Sequence, residues 1–194
     1  MKNKHTRIHT KRDHLTRDQV AFIIDKLERF DMKALTAILY LTGARINEAL
    51  ELRRDNFYME DDKLCIDIPT LKRDKVVRDV MTFRRTQKFI PDKIPFWRLI
   101  SMFINDVETD VLFQFTDRWY QIKLKNIGDK YTEHVGGAVW SHLFRHTRLQ
   151  SNADSGMPIT AQMHFSGHKQ TKGLEPYLSR SKRHSDLAEQ FFDY

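Results

Sequence analysis

The chain is poor in cysteine, in long apolar stretches and, at its start, in acidic residues. A single cysteine, Cys65, excludes any disulfide within the chain. No apolar run approaches the roughly 18 residues that a bilayer span needs, so no membrane helix is predicted. The N-terminus has no apolar block followed by small residues, so a secretory signal is not expected and a reducing cytoplasm fits. Internal repeats and low-complexity tracts are absent, and 194 residues are enough for one domain with a real core. No acid precedes Asp13, whereas Lys2, Lys4, Arg7, Lys11 and Arg12 do. Residues 1–14 therefore read as a basic tail or linker, able to lie along DNA, to lead into another domain or to stay disordered.

What is present is the composition of a folded globular protein, 40% hydrophobic and 11% aromatic. A net charge of +7 favours an anionic partner, nucleic acid foremost, but speaks to electrostatics and not to fold. Thr16 and Gln19 form a capping-box pattern, and Val20, Ile23, Ile24 and Leu27 follow at helical spacing. A second helix is predicted from Met32 to Thr42, ending at Gly43, and a third over Ala44 to Leu52, which puts Arg45 at a helix start. Between Asn56 and Thr82 the period changes to two. Leu64, Ile66 and Ile68 alternate, and Val76, Val77 and Val80 follow the turn-like Lys72-Arg73-Asp74, so a small antiparallel sheet is predicted. Helical patterns resume over Phe96 to Val107 and Asp117 to Asn126. Ser141 is placed to cap a helix through Ala153, a short helix ends near Gly167, and two more helical pieces fill Thr171 to Tyr194.

The stretch richest in chemistry is Ser141-His142-Leu143-Phe144-Arg145-His146-Thr147, followed by Ser166-Gly167-His168 and then Tyr177. His142 and Arg145 are three apart and share a helix face, so an imidazole and a guanidinium can reach one small anion. With the upstream Gly43-Ala44-Arg45-Ile46-Asn47-Glu48 segment, these boxes resemble the tyrosine recombinase (phage integrase-type) family, especially its Xer-like members. The resemblance runs from about Leu15 to Ser179. It implies an α+β fold, mainly α with a small antiparallel β-sheet, in which residues 15–194 form the catalytic domain.

The resemblance also implies roles. Arg45 and Arg145 would hold the nonbridging oxygens of a scissile DNA phosphate, and two planar guanidinium groups can stabilise its transition state without a metal. Glu48, one turn from Arg45, would orient that arginine. Tyr177 would be the nucleophile, forming a 3′-phosphotyrosyl ester that keeps the bond energy for religation, with Tyr194 the weaker candidate. His142 would accept a proton or touch the phosphate near the tyrosine, and His168 would donate a hydrogen bond to a phosphate oxygen. The leaving 5′ oxygen would take its proton from a turn lysine, Lys72 or else Lys75.

No cofactor and no metal are implied, and the partner is double-stranded DNA, which makes the protein cytoplasmic and DNA-associated. Leu187, Phe191 and Phe192 suit a C-terminal helix exchanged between protomers of a homo-tetramer on paired sites, or one docked on its own domain. Phe144 and Ser166 stand where the family usually has leucine and read as packing changes. The family's N-terminal helical domain, which closes a clamp around DNA, has only the basic tail in its place, so a fragment or a short member is expected.

Two other readings remain. His142 with His146, and His164 with His168, have the i, i+4 spacing of zinc ligands, but no glutamate lies between either pair, as a metal-dependent hydrolase would want. A DNA-binding regulator of the same fold without catalysis is the other.

Overall fold

In the computed structural model, residues 14–70, 83–179 and 181 are described. The capping box forms as the sequence predicts. The Thr16 hydroxyl accepts from Gln19 N–H, the Gln19 side chain accepts from Thr16 N–H, and α1 (Arg17–Lys26) buries Val20, Ile23 and Ile24. The next helix, α2 (Phe30–Thr42), is buried along most of its length, as its run of alanine, leucine and isoleucine requires. It packs against α1, against α4 (Trp97–Asp106) and against α7 (Ser141–Asp154), which makes it the axis of one continuous core. Each leucine or isoleucine fully buried here contributes about 1.5–3 kcal/mol.

The third helix is shorter than the pattern suggested. Arg45 caps α3 (Ile46–Leu50) in an extended conformation, and Glu48 reaches back to accept from its N–H at 2.9 Å. The sheet has the order β1-β2-β3, all antiparallel: β1 (Phe57–Glu60), β2 (Lys63–Thr70) and β3 (Phe83–Phe89). Leu64, Ile66 and Ile68 point inward, as their alternation predicts. The described part of β3 lies past Thr82, the predicted limit of the sheet, and Val76, Val77 and Val80 lie outside the described residues. Opposite Ile66 and Ile68, β3 places Gln87 and Arg85, both buried. Polar side chains on its inward face hide this strand from any hydrophobic pattern.

On the far side of the core, α5 (Asp117–Lys130) runs one turn beyond its predicted end, and a short α6 (Thr132–Val135) follows it. Ser141 is not the cap of α7. Trp140 takes that position, and a glutamine from α5 does the capping: Gln121 Oε1 accepts from Ser141 N–H while Gln121 Nε2 donates to the Ser141 hydroxyl. Next come α8 (Ile159–Ser166), which closes on Gly167, and α9 (Glu175–Leu178). Among the described residues, no helix is long and apolar enough to cross a membrane.

Candidate active site

Two helices end at the same place, and their last carbonyls build the site. Both α2 and α8 stop at a glycine in the left-handed region, Gly43 (φ 60°) and Gly167 (φ 71°), where a side chain would strain the backbone. A helix C-terminus leaves carbonyls without intrahelical donors and carries partial negative charge, so it calls for cations. Three arginines and a glutamine answer. Arg145 Nη1 donates to Gly43 O and Nη2 to Ser166 O, at 2.6 and 2.8 Å. Arg148, one turn later on α7, donates to Tyr40 O. From β3, Gln87 Nε2 donates to both Thr42 O and Phe165 O, and Arg85 Nε also donates to Phe165 O. Arg145 can therefore be only 1% exposed and still carry charge. Burial, and then the nearby charge of Arg45, lowers its pKa to about 10, which leaves it protonated at neutral pH.

Glu48 joins this cluster to the rim. One carboxylate oxygen accepts from Arg45 Nη1 at 3.0 Å and the other from Arg85 Nη2 at 2.8 Å. Burial by itself would raise its pKa, but the hydrogen bond and charge of Arg85, with help from Arg45, outweigh that and hold the carboxyl below its ordinary value. The Arg45 side chain is 45% exposed, against 2% for that of Glu48, so Arg45 opens to solvent while its acid partner lies beneath it.

His168 follows Gly167 directly, with Nδ1 2.6 Å from the Ser166 hydroxyl and 3.5 Å from Arg145 Nη2. Burial, and then the charges of Arg145, Arg45 and Arg85, drives its pKa down to about 4, so it is neutral at pH 7. On the outer turns of α7, His142 and His146 meet ring to edge at 4.7 Å. His142 keeps an edge in solvent, yet lost hydration, followed by the charges of His146, Arg145 and Arg45, lowers its pKa to about 4 as well. The Tyr177 hydroxyl lies 2.5 Å from His146 Nδ1.

Arg45, Glu48, His142, Arg145, His168 and Tyr177 thus fall in one neighbourhood, linked by hydrogen bonds or by mutual charge. Lys72 and Lys75 lie outside the described residues, as do Tyr194, Leu187, Phe191 and Phe192. Arg85 and Gln87 do not stand out in the sequence, and His146 stands out there only as a possible zinc ligand. No hydrophobic alternation marks the two β3 residues, because they are themselves the inward residues of that strand. Ser166 is no packing exchange, because its hydroxyl is fully buried and hydrogen-bonded to His168. Among the described residues, no group of three or more histidines, cysteines or acids is placed to hold a metal. What the cluster can do is receive one compact anion between fixed cations, with a phenol nearby.

Comparison with known proteins places this geometry. The model of the phage integrase family matches residues 13–184. Among solved structures, the XerH site-specific recombinase bound to its difH substrate superposes with a TM-score of 0.69 at 18% identity, covering 94% of this chain and 55% of that one. XerA recombinase gives 0.68 at 18% identity, with 93% and 65% covered. The catalytic domain of bacteriophage HP1 integrase gives 0.61 at 18% identity, with 92% and 94% covered. The chain spans about half the length of the XerH structure. No curated protein matches it in sequence. With a family model running over nearly all its length and the α+β architecture of recombinase catalytic domains, the chain belongs to the phage integrase family.

Proposed function

We propose that this chain is the catalytic domain of a site-specific DNA recombinase or integrase, cleaving and rejoining double-stranded DNA through a 3′-phosphotyrosyl bond to Tyr177. The observation that carries the reading is the buried Arg145, fixed by two helix ends and within electrostatic reach of Arg45, His168 and Tyr177. Here Arg45 at the rim and Arg145 at the floor neutralise the charge that builds on the phosphate as the phenol oxygen attacks phosphorus. Glu48 and Arg85 keep Arg45 in place, and His168 donates to a phosphate oxygen. The phenol proton passes to a histidine as the P–O bond forms. His146 is better placed for that step than His142, which is left to contact the phosphate. The P–O5′ bond breaks, and the leaving 5′ oxygen is protonated by Lys72 or Lys75. Attack of a 5′ hydroxyl on the phosphotyrosyl ester reverses the steps on a new strand. No cofactor enters the balance, because one ester replaces another. The working unit is a homo-tetramer on paired sites, exchanging between protomers the C-terminal segment that includes Leu187, Phe191 and Phe192.

A nicked suicide duplex, which loses its 5′ hydroxyl by diffusion after cleavage, tests the reading. It is expected to trap a denaturant-resistant protein–DNA adduct that Tyr177→Phe abolishes. Tight binding with no adduct in the wild type would sink it in favour of a DNA-binding regulator.

A further inference from the structure

The inward nitrogen of His168 has two neighbours of unequal kind. Arg145 Nη2, 3.5 Å away, carries N–H groups only and has no lone pair to offer, so it can hydrogen-bond Nδ1 only if that nitrogen is bare. The Ser166 hydroxyl, at 2.6 Å, can either give or take a proton. Its single proton has a rival acceptor, Gln162 O, also at 2.6 Å. If the proton went to Gln162, the Ser166 oxygen would need a proton from Nδ1, and that N–H would sit beside a guanidinium. If it goes to Nδ1, both neighbours donate to one lone pair, and Gln162 O keeps the helical N–H that α8 supplies. The charge of Arg145 favours the second arrangement, and the closer Ser166 proton completes it. The opposite edge of the ring lies against the Thr171–Gly173 turn, where a Cβ on Gly173 would come within 2.8 Å of Cδ2 and 3.2 Å of Nε2. Glycine at that position spares Nε2 a side chain in contact with it.

We propose that Ser166, acting with Arg145, is a positioning residue that holds His168 in the Nε2–H tautomer and so presents a hydrogen-bond donor to the phosphate. This rests on the reading above that His168 contacts that phosphate. A leucine at this position could not donate, and the ring would then have Arg145 alone to orient it. Ser166 is fully buried, so water cannot take over its part.

Nitrogen NMR of the full chain labelled in its histidines, recorded without DNA, reads the tautomer directly. The wild type is expected to show Nε2–H at His168, Ser166→Ala a mixture with Nδ1–H, and Ser166→Thr the wild-type pattern again. Adduct formation on the suicide duplex is expected to slow about tenfold in Ser166→Ala at unchanged DNA affinity, and to recover in Ser166→Thr. A wild-type spectrum showing Nδ1–H, or an alanine variant with unchanged tautomer and rate, overturns the proposal. His168→Ala separates the two layers of the argument. An undiminished adduct rate there would remove the phosphate role of His168, while the tautomer measurement would still decide what Ser166 does.

Discussion

The two sides of the site are secured by different means. Arg145, Arg85 and Glu48 are 1%, 5% and 2% exposed, and they knit the ends of α2 and α8 to α3 and β3. Tyr177, by contrast, rides on α9, a four-residue helix none of whose side chains is buried. Its hydroxyl bonds to His146 Nδ1, its carbonyl accepts from Gln150 Nε2 at 3.3 Å, and its N–H donates to Leu174 O. Below α9 the chain is anchored by Leu174, fully buried, and by the Ser181 hydroxyl, which donates to Ala153 O. The difference teaches that the buried charges are set at folding, when helix carbonyls offset the desolvation of the arginines and Arg85 that of Glu48, whereas the tyrosine proposed as nucleophile sits on a short, unburied helix.

The contrast yields a graded series. Arg145→Lys is expected to do most damage, because one ammonium cannot bridge Gly43 O and Ser166 O in the plane a guanidinium provides. Cleavage should fall by about 10²–10³-fold and stability by about 3 kcal/mol, read from adduct yield and urea unfolding. Arg85→Met, which keeps the bulk and removes the charge, should come next. It strips Glu48 of its buried partner and frees Phe165 O from one donor, so a loss of about 2–3 kcal/mol is expected, with a smaller fall in cleavage. His146→Phe should leave unfolding within about 1 kcal/mol of wild type, yet slow adduct formation about 10²-fold, since the phenol loses its proposed proton acceptor. A collapse of stability in this variant, equal to that of Arg145→Lys, would break the contrast.

The mildest effect concerns pH. His168 and His142 titrate near 4 when folded and near 6.5 when unfolded, so between those values the unfolded chain binds more protons. Stability therefore falls as pH drops from about 6.5 to about 4, and His168 dominates because solvent screens the exposed His142. Glu48 acts in the same direction at lower pH: its contribution is present above the ordinary carboxylate range and is lost as pH falls through its lowered pKa. Melting temperatures measured from pH 7 to pH 4 should show this slope, and His168→Gln should flatten it.

How far the site could be read from the sequence follows from where each partner lies. The Gly-Ala-Arg-Ile-Asn-Glu segment and the His-x-x-Arg, Gly-His and tyrosine elements announce themselves by residue type and interval, and the helices from α1 to α5 do so by periodicity. Arg85 and Gln87 were hidden because they fill inward positions of a strand, where hydrophobic alternation is the expected sign. Their partners, Thr42 O and Phe165 O, are backbone groups that no side-chain pattern reveals. Ser166 was misread for a related reason. A small polar residue in a buried slot looks like a packing change until the ring of His168 is seen beside it. The predicted third helix was too long because Glu48 caps it from within, starting it only after Arg45.

The mooring of Arg145 to the closing turns of two helices carries a consequence for how the protein fails. Gly167 N–H and His168 N–H both donate to Met163 O, while the last two carbonyls of that turn, of Phe165 and Ser166, are held by side chains from β3 and α7. Should that turn unwind, Ser166 O departs and the guanidinium is free to swing toward water. Such an opening demands far less free energy than melting the core around α2. Warming should therefore disarm the protein before denaturing it, with amide exchange at Gly167 and His168 quickening while α2 stays protected.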